Sequence, residues 1–159
     1  MSQCILVIED KLKWQELLTS ILQDEGYKFE VANNYIEALG KIQHQDFGVL
    51  IVDLRLSDSD ESNRKGMDLL TYAYERQIPS IIVTGYGTPE LADEAYSQYG
   101  VCDFIPKDNF DTDRFRESIK RALLHSQKRQ QPEILTPDQK RKFDEIIQKI
   151  LSGTRIDFQ

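Results

Sequence analysis

The chain has 159 residues, 40% of them hydrophobic and 30% charged, with a formal net charge of −7. That length suits one domain with an appendage, and the acidic balance argues against generic nucleic-acid binding by the chain as a whole. No apolar run approaches the roughly 20 residues needed to span a bilayer, and no basic stretch followed by a long apolar run opens the chain. We therefore expect a cytoplasmic protein with no membrane partner. Cys4 and Cys102 fall in expected buried strands and read as reduced core thiols.

Short apolar runs alternate with amphipathic segments, the pattern of an α/β protein with a parallel sheet. The first run is Ile5 to Ile8, followed by Glu9 and Asp10. Trp14, Leu17, Leu18, Ile21 and Leu22 then recur at helical spacing, and Gly26 ends that helix. Lys28 to Ala32 reads as a second strand, and Tyr35, Ala38, Leu39 and Ile42 mark a second helix. Phe47 to Val52 forms a third strand ending at Asp53, and Met67, Leu69, Leu70 and Ala73 mark a third helix. Ser80 to Val83 runs into Thr84 and Gly85. Thr88 and Pro89 look like the N-cap and first residue of a fourth helix reaching Tyr99, with Gly100 after it. Cys102 to Ile105 leads to Lys107, and Asp111 caps a fifth helix carrying Phe115, Ile119, Ala122 and Leu123, read as core.

Five βα units are thus complete by about residue 127. Residues 128–159 read as a linker, beginning within the polar Gln127 to Pro132, and a sixth helix, or the start of an output region. That helix opens at Thr136, Pro137 and Asp138 and carries the stripe Phe143, Ile146, Ile147, Ile150 and Leu151. One helix cannot bury its own stripe, so it docks on the body, pairs with another copy, or belongs to a longer protein. His44 and His125 read as surface residues, and Trp14, one helical turn past Asp10, as a reporter of the site.

In an open parallel sheet, ligands bind in the crevice beyond the carboxyl ends of the strands. Parallel pairing of these runs would gather Glu9, Asp10, Asp53, Thr84 and Lys107 at one edge. Mg²⁺ prefers oxygen ligands, keeps several waters, and takes one or two carboxylates with phosphate oxygens. Asp53 is the candidate for both ligand and nucleophile, since a carboxylate attacking phosphorus gives an acyl phosphate. The transition state spreads charge over equatorial oxygens. Lys107 can neutralise one of them and Thr84 can donate a hydrogen bond to another. Each residue alone reads as a cap, a turn or a solvated charge. The joint pattern is far more specific.

On these residues the chain resembles the receiver domain of two-component response regulators. The resemblance rests on Glu9-Asp10, the Asp53-Leu54-Arg55-Leu56 segment, Thr84-Gly85 and Phe104-Ile105-Pro106-Lys107, and covers about residues 3 to 125. It implies a doubly wound five-stranded parallel sheet of order 2-1-3-4-5, with the extra C-terminal helix added here. It implies that Asp53 accepts a phosphoryl group from a sensor histidine kinase or phosphotransfer protein. Glu9, Asp10, Asp53 and the backbone carbonyl of Arg55 would hold Mg²⁺, with Thr84 and Lys107 on the phosphoryl group. Thr84 would move toward it and Phe104 would swing inward, altering the surface of helix four, strand five and helix five for a downstream protein partner or a homodimer. Arg55 and Tyr86 stand where the family tunes hydrolysis of the acyl phosphate.

Four departures from the family pattern bear on these expectations. Ser57 replaces the usual Pro, and Gly66 comes about five residues late, leaving a long polar loop over residues 58–65. Asp108 follows Lys107 where Pro is common, often after a cis bond, and a cis bond before a non-proline costs about 2.5–4 kcal/mol. Arg55 and Tyr86 are bulky enough to shield the phosphoryl group, which implies slow self-dephosphorylation. Phe104 lacks the hydroxyl of a tyrosine, so its rotamer change depends on packing.

The expectation is a switch module rather than a turnover enzyme. The alternative is the front of a DNA-binding transcriptional regulator, although no recognition helix follows Gly153. A haloacid-dehalogenase type hydrolase would need a second Asp where Arg55 stands and its nucleophile after the first strand. A receiver-like fold that has lost phosphorylation fits poorly with the full set of acidic pair, Asp, Thr and Lys.

Overall fold

The computed structural model describes residues 3–56, 65–127 and 136–153. Five strands are β1 (Cys4–Ile8), β2 (Lys28–Ala32), β3 (Val49–Val52), β4 (Ser80–Thr84) and β5 (Asp103–Pro106). Six helices are α1 (Leu12–Asp24), α2 (Tyr35–His44), α3 (Lys65–Glu75), α4 (Pro89–Tyr99), α5 (Thr112–Gln127) and α6 (Pro137–Ser152), with a short 3₁₀ turn at Lys107–Asn109. All pairings are parallel and the order is β2-β1-β3-β4-β5, so the expected doubly wound sheet is present.

Alternation along the buried strands divides the core into two layers, because successive side chains point to opposite faces. Ile5, Val7, Val49, Ile51, Ile81, Val83 and Ile105 pack on Leu18, Ile21 and Leu22 of α1 and Phe115, Ile119 and Ala122 of α5. Leu6, Ile8, Leu50, Val52, Ile82 and Phe104 face α2, α3 and α4. The α6 stripe, Phe143, Ile146, Ile147 and Ile150, joins this second layer. The sixth helix therefore docks on the body, against α3 and α2.

Local signals set the helix ends. Thr88 caps α4 by accepting from the Leu91 amide, Pro89 occupies the first turn, and Gly100 closes it. Thr136 and Gln139 form a reciprocal capping box at α6, and Gly153 ends it. Asp111 accepts from the amides of Asp113 and Arg114 at the start of α5.

Several boundaries differ from expectation. Phe47 is buried but precedes β3, since its segment turns into the strand only at Val49. β5 begins one residue late, at Asp103, and reaches Pro106, whose missing amide is tolerated on an edge strand. Both cysteines are reduced thiols, half-buried rather than fully buried, Cys4 at the first position of β1 and Cys102 just before β5. The polar insertion after Asp53 lies outside the described residues over 57–64, as does the segment 128–135. No helix among the described residues is long and apolar enough to cross a membrane.

Candidate functional site

The sheet order reverses between β1 and β3, opening a crevice beyond their carboxyl ends. Ile8 pairs with Val52, and the Asp53 amide donates to the Ile8 carbonyl at 3.1 Å, so Glu9 and Asp53 leave the sheet side by side. Thr84 pairs with Pro106, which brings Lys107 to the same edge. Ligand oxygens of Glu9, Asp10 and Asp53 all lie within 4.8 Å of one another. Glu9 and Asp53 are buried, and Asp10 faces solvent.

Lys107 lies between the two buried carboxylates, its Nζ 2.7 Å from Glu9 Oε2 and 2.9 Å from Asp53 Oδ2. The ammonium also sits 5.0 Å from the Trp14 ring centroid, which links Trp14 to the site. Backbone amides hold the outer oxygens: Lys11 donates to Glu9 Oε1 at 3.0 Å and Arg55 to Asp53 Oδ1 at 3.3 Å. The Lys107–Asp108 bond is trans.

Burial pushes the Glu9 carboxyl up to about 7, and Asp53 adds to that, against the pull of Lys107 and the Lys11 amide. Burial alone would lower Lys107, but Glu9 and Asp53 more than offset it and raise its pKa. Three carboxylates around one ammonium leave the crevice short of positive charge. An all-oxygen donor set with one exposed carboxylate fits a hard divalent cation that retains water.

Thr84 is fully buried, and its hydroxyl accepts from the Tyr86 amide at 3.2 Å. Phe104 already stands inward, 5% exposed. A Cβ at Gly87 would come within 2.8 Å of its ring, so glycine there lets the β4–α4 loop lie flat on Phe104. Arg55 and Tyr86 meet across the crevice, guanidinium carbon 4.1 Å from the ring centroid. The strand ends thus gather Glu9, Asp10, Asp53 and Lys107, while Thr84 is turned toward its own loop.

Sequence reasoning missed two contributors. Tyr35, read only as part of the α2 stripe, donates its hydroxyl to the Asp53 carbonyl at 2.8 Å. Asp103, hidden in an apolar run, is a buried acid held by Tyr96, Arg114 and Ser118 beside the Phe104 backbone. A charge inside a strand was the available signal for the second, since buried charges are paired.

The chain is similar in sequence and in fold to known proteins. The transcriptional regulatory protein ZraR of Klebsiella oxytoca is 29% identical over 135 residues, covering 84% of this chain and 29% of ZraR. A putative NtrX-like response regulator of Rickettsia typhi is 32% identical over 118 residues, covering 74% of this chain and 24% of that protein. The chain thus spans about a quarter of the length of these curated relatives. Among solved structures, a CheY-like response regulator receiver domain protein from Methanospirillum hungatei is 28% identical with a TM-score of 0.69, covering 80% of this chain and 98% of that one. The signal receiver domain of a putative LuxO repressor protein from Vibrio parahaemolyticus is 26% identical with the same TM-score, covering 80% and 94%. Residues 5–120 match the response regulator receiver domain, and the chain belongs to that family.

Proposed function

We propose that Asp53 is the phosphoacceptor of this receiver and that a sensor histidine kinase or a phosphotransfer protein supplies the phosphoryl group. The observation that carries the reading is the Lys107 ammonium paired to both Glu9 and Asp53 beside the open carboxylate of Asp10. An Asp53 oxygen attacks phosphorus, the bond from phosphorus to the donor nitrogen breaks, and that nitrogen takes up a proton. The product is an acyl phosphate. Lys107 is placed to neutralise one transferring oxygen. Glu9, Asp10, Asp53 and the Arg55 carbonyl would hold Mg²⁺, which supplies charge neutralisation of the phosphoryl oxygens when bound.

In this reading the chain is a switch rather than a turnover enzyme. A phosphoryl oxygen on Asp53 accepts from the Thr84 hydroxyl and draws that side chain away from the Tyr86 amide that donates to it. Drawing Thr84 away loosens the loop that bears Gly87, the glycine against Phe104. The face formed by α4, β5 and α5 changes with it and signals to a downstream protein or a second copy, a two-state element biased by a local charge event.

The test is intact mass after incubation with Mg²⁺ and phosphoramidate, for the wild-type chain and Asp53→Asn. The expected result is one added phosphoryl group in the wild type, absent with EDTA and absent in the variant. Equal labelling of Asp53→Asn would place the acceptor elsewhere and overturn the reading.

A further inference from the structure

Tyr35 opens α2, directly after Asn34, whose side chain caps the helix by accepting from the Glu37 amide. The ring is 5% exposed and its hydroxyl points away from the rest of the helix stripe, into the turn that follows β3. There it donates to the Asp53 carbonyl at 2.8 Å. The phenol thus anchors the Asp53 end of the Asp53–Leu56 turn. Within that turn the Arg55 amide reaches back to Asp53 Oδ1.

A second contact comes from the opposite side. A Cβ at Gly66, in the first turn of α3, would lie 2.6 Å from the Leu54 carbonyl oxygen and 2.8 Å from the Tyr35 hydroxyl. The start of α2, the turn after β3 and the start of α3 therefore converge on one oxygen atom. An apolar ring would fill the same seat. A buried hydroxyl is costly unless bonded, and its bond here goes to the backbone of Asp53.

We infer that Tyr35 is a positioning residue for phosphoryl transfer, its hydroxyl fixing the Asp53–Leu56 turn that presents the Asp53 carboxylate and the Arg55 carbonyl to a divalent cation. This rests on the reading of Asp53 as acceptor with Mg²⁺ beside it. The phenol touches neither the reacting atoms nor the cation. It acts through the backbone, as partners of ligating groups do elsewhere.

The test is Tyr35→Phe, which removes one oxygen and keeps the ring. Tyr72→Phe is the matched control, since Tyr72 is 2% exposed and its hydroxyl accepts from Arg76 at 2.8 Å on another part of α3. Mg²⁺ affinity is read by calorimetry, and the phosphorylation rate with phosphoramidate is read against Mg²⁺ concentration. Loss of the Tyr35 hydroxyl should weaken Mg²⁺ binding about tenfold, the lower range for lost partners of ligating groups. The Mg²⁺ concentration for half-maximal rate should rise in proportion, and Tyr72→Phe should match the wild type. If both variants lose thermal stability but bind Mg²⁺ like the wild type, the hydroxyl is structural and the inference is overturned. A wild-type chain that neither binds Mg²⁺ nor labels at Asp53 would overturn the reading of the site, and the inference with it.

Discussion

Arg55 and Tyr86 stack on each other just past the ends of β3 and β4, and we propose that this pair limits the approach of water to an acyl phosphate on Asp53. Tyr86 is 44% exposed, so the pair forms an outer cover rather than core. A cation–π contact at an exposed site is worth about 0.5–1 kcal/mol, so removing either partner should speed loss of the phosphoryl group about 2- to 5-fold. With the cover in place the wild-type phosphoprotein should persist for minutes or longer. Intact-mass time courses of wild type, Arg55→Ala and Tyr86→Ala measure both quantities. Equal decay in all three would remove the shielding role, as would a wild-type half-life of seconds.

At the same scale, the gathering of Glu9, Asp10, Asp53 and Lys107 was legible because each follows an apolar run and parallel pairing brings such ends together, whereas the turn of Thr84 toward its own loop was not. Tyr35 was not legible. Its spacing satisfies the α2 stripe, and periodicity does not distinguish a phenol that merely fills space from one whose tip is bonded. The Arg55 carbonyl as a ligand, by contrast, came through the family resemblance and not from spacing.

At the element scale, one buried acid holds α4, β5 and α5 together. Asp103 on β5 accepts from Tyr96 of α4 at 3.0 Å and from Arg114 of α5 at 2.7 Å and 3.1 Å, with Ser118 of α5 completing the set. Arg114 also donates to the Phe104 carbonyl at 3.0 Å, so the clamp grips the backbone of Phe104 itself. Burial pushes the Asp103 carboxyl upward, but the bonds from Arg114, Ser118 and Tyr96 outweigh it and bring it from 3.8 down to about 2. A lowered carboxyl pKa stabilises the fold above the unfolded value, and that stability fades as pH falls from 3.8 toward 2. Asp103→Asn should therefore lose about 2 kcal/mol at pH 7, the usual scale for a hydrogen bond to a charged group. The gap to wild type should close near pH 2. Urea unfolding midpoints at the two pH values check this, and a gap independent of pH would show that charge is not what holds the clamp. The sequence concealed the cluster because Asp103 lies within the run Cys102 to Ile105, whose apolar neighbours dominate the strand signal.

At the scale of the whole molecule, α6 is the one element whose place the sequence left open. Its stripe, its capping box and its closing Gly153 were all readable, yet a stripe says only that something must cover it. The structure supplies the cover. Phe143 lies against Tyr72, ring centroids 5.8 Å apart, while Arg76 bonds both the Tyr72 hydroxyl and the Ile42 carbonyl of α2. Phe143, Ile146, Ile147 and Ile150 belong to the same apolar layer as Leu6 and Leu50 of the central strands. A helix continuous with that layer should unfold with it rather than peel off separately. Truncating a buried phenylalanine to alanine costs about 3–5 kcal/mol, and Phe143, being 6% exposed, belongs near the lower figure. For a chain of this length each kcal/mol moves the midpoint by about 2–4 °C, so Phe143→Ala should lower Tm by roughly 6–12 °C in a single transition. Calorimetry of the two proteins decides it. An unchanged main transition with a separate early one would mean that α6 rests on the receiver without stabilising it, and that the α2–α3 surface is free to bind something else.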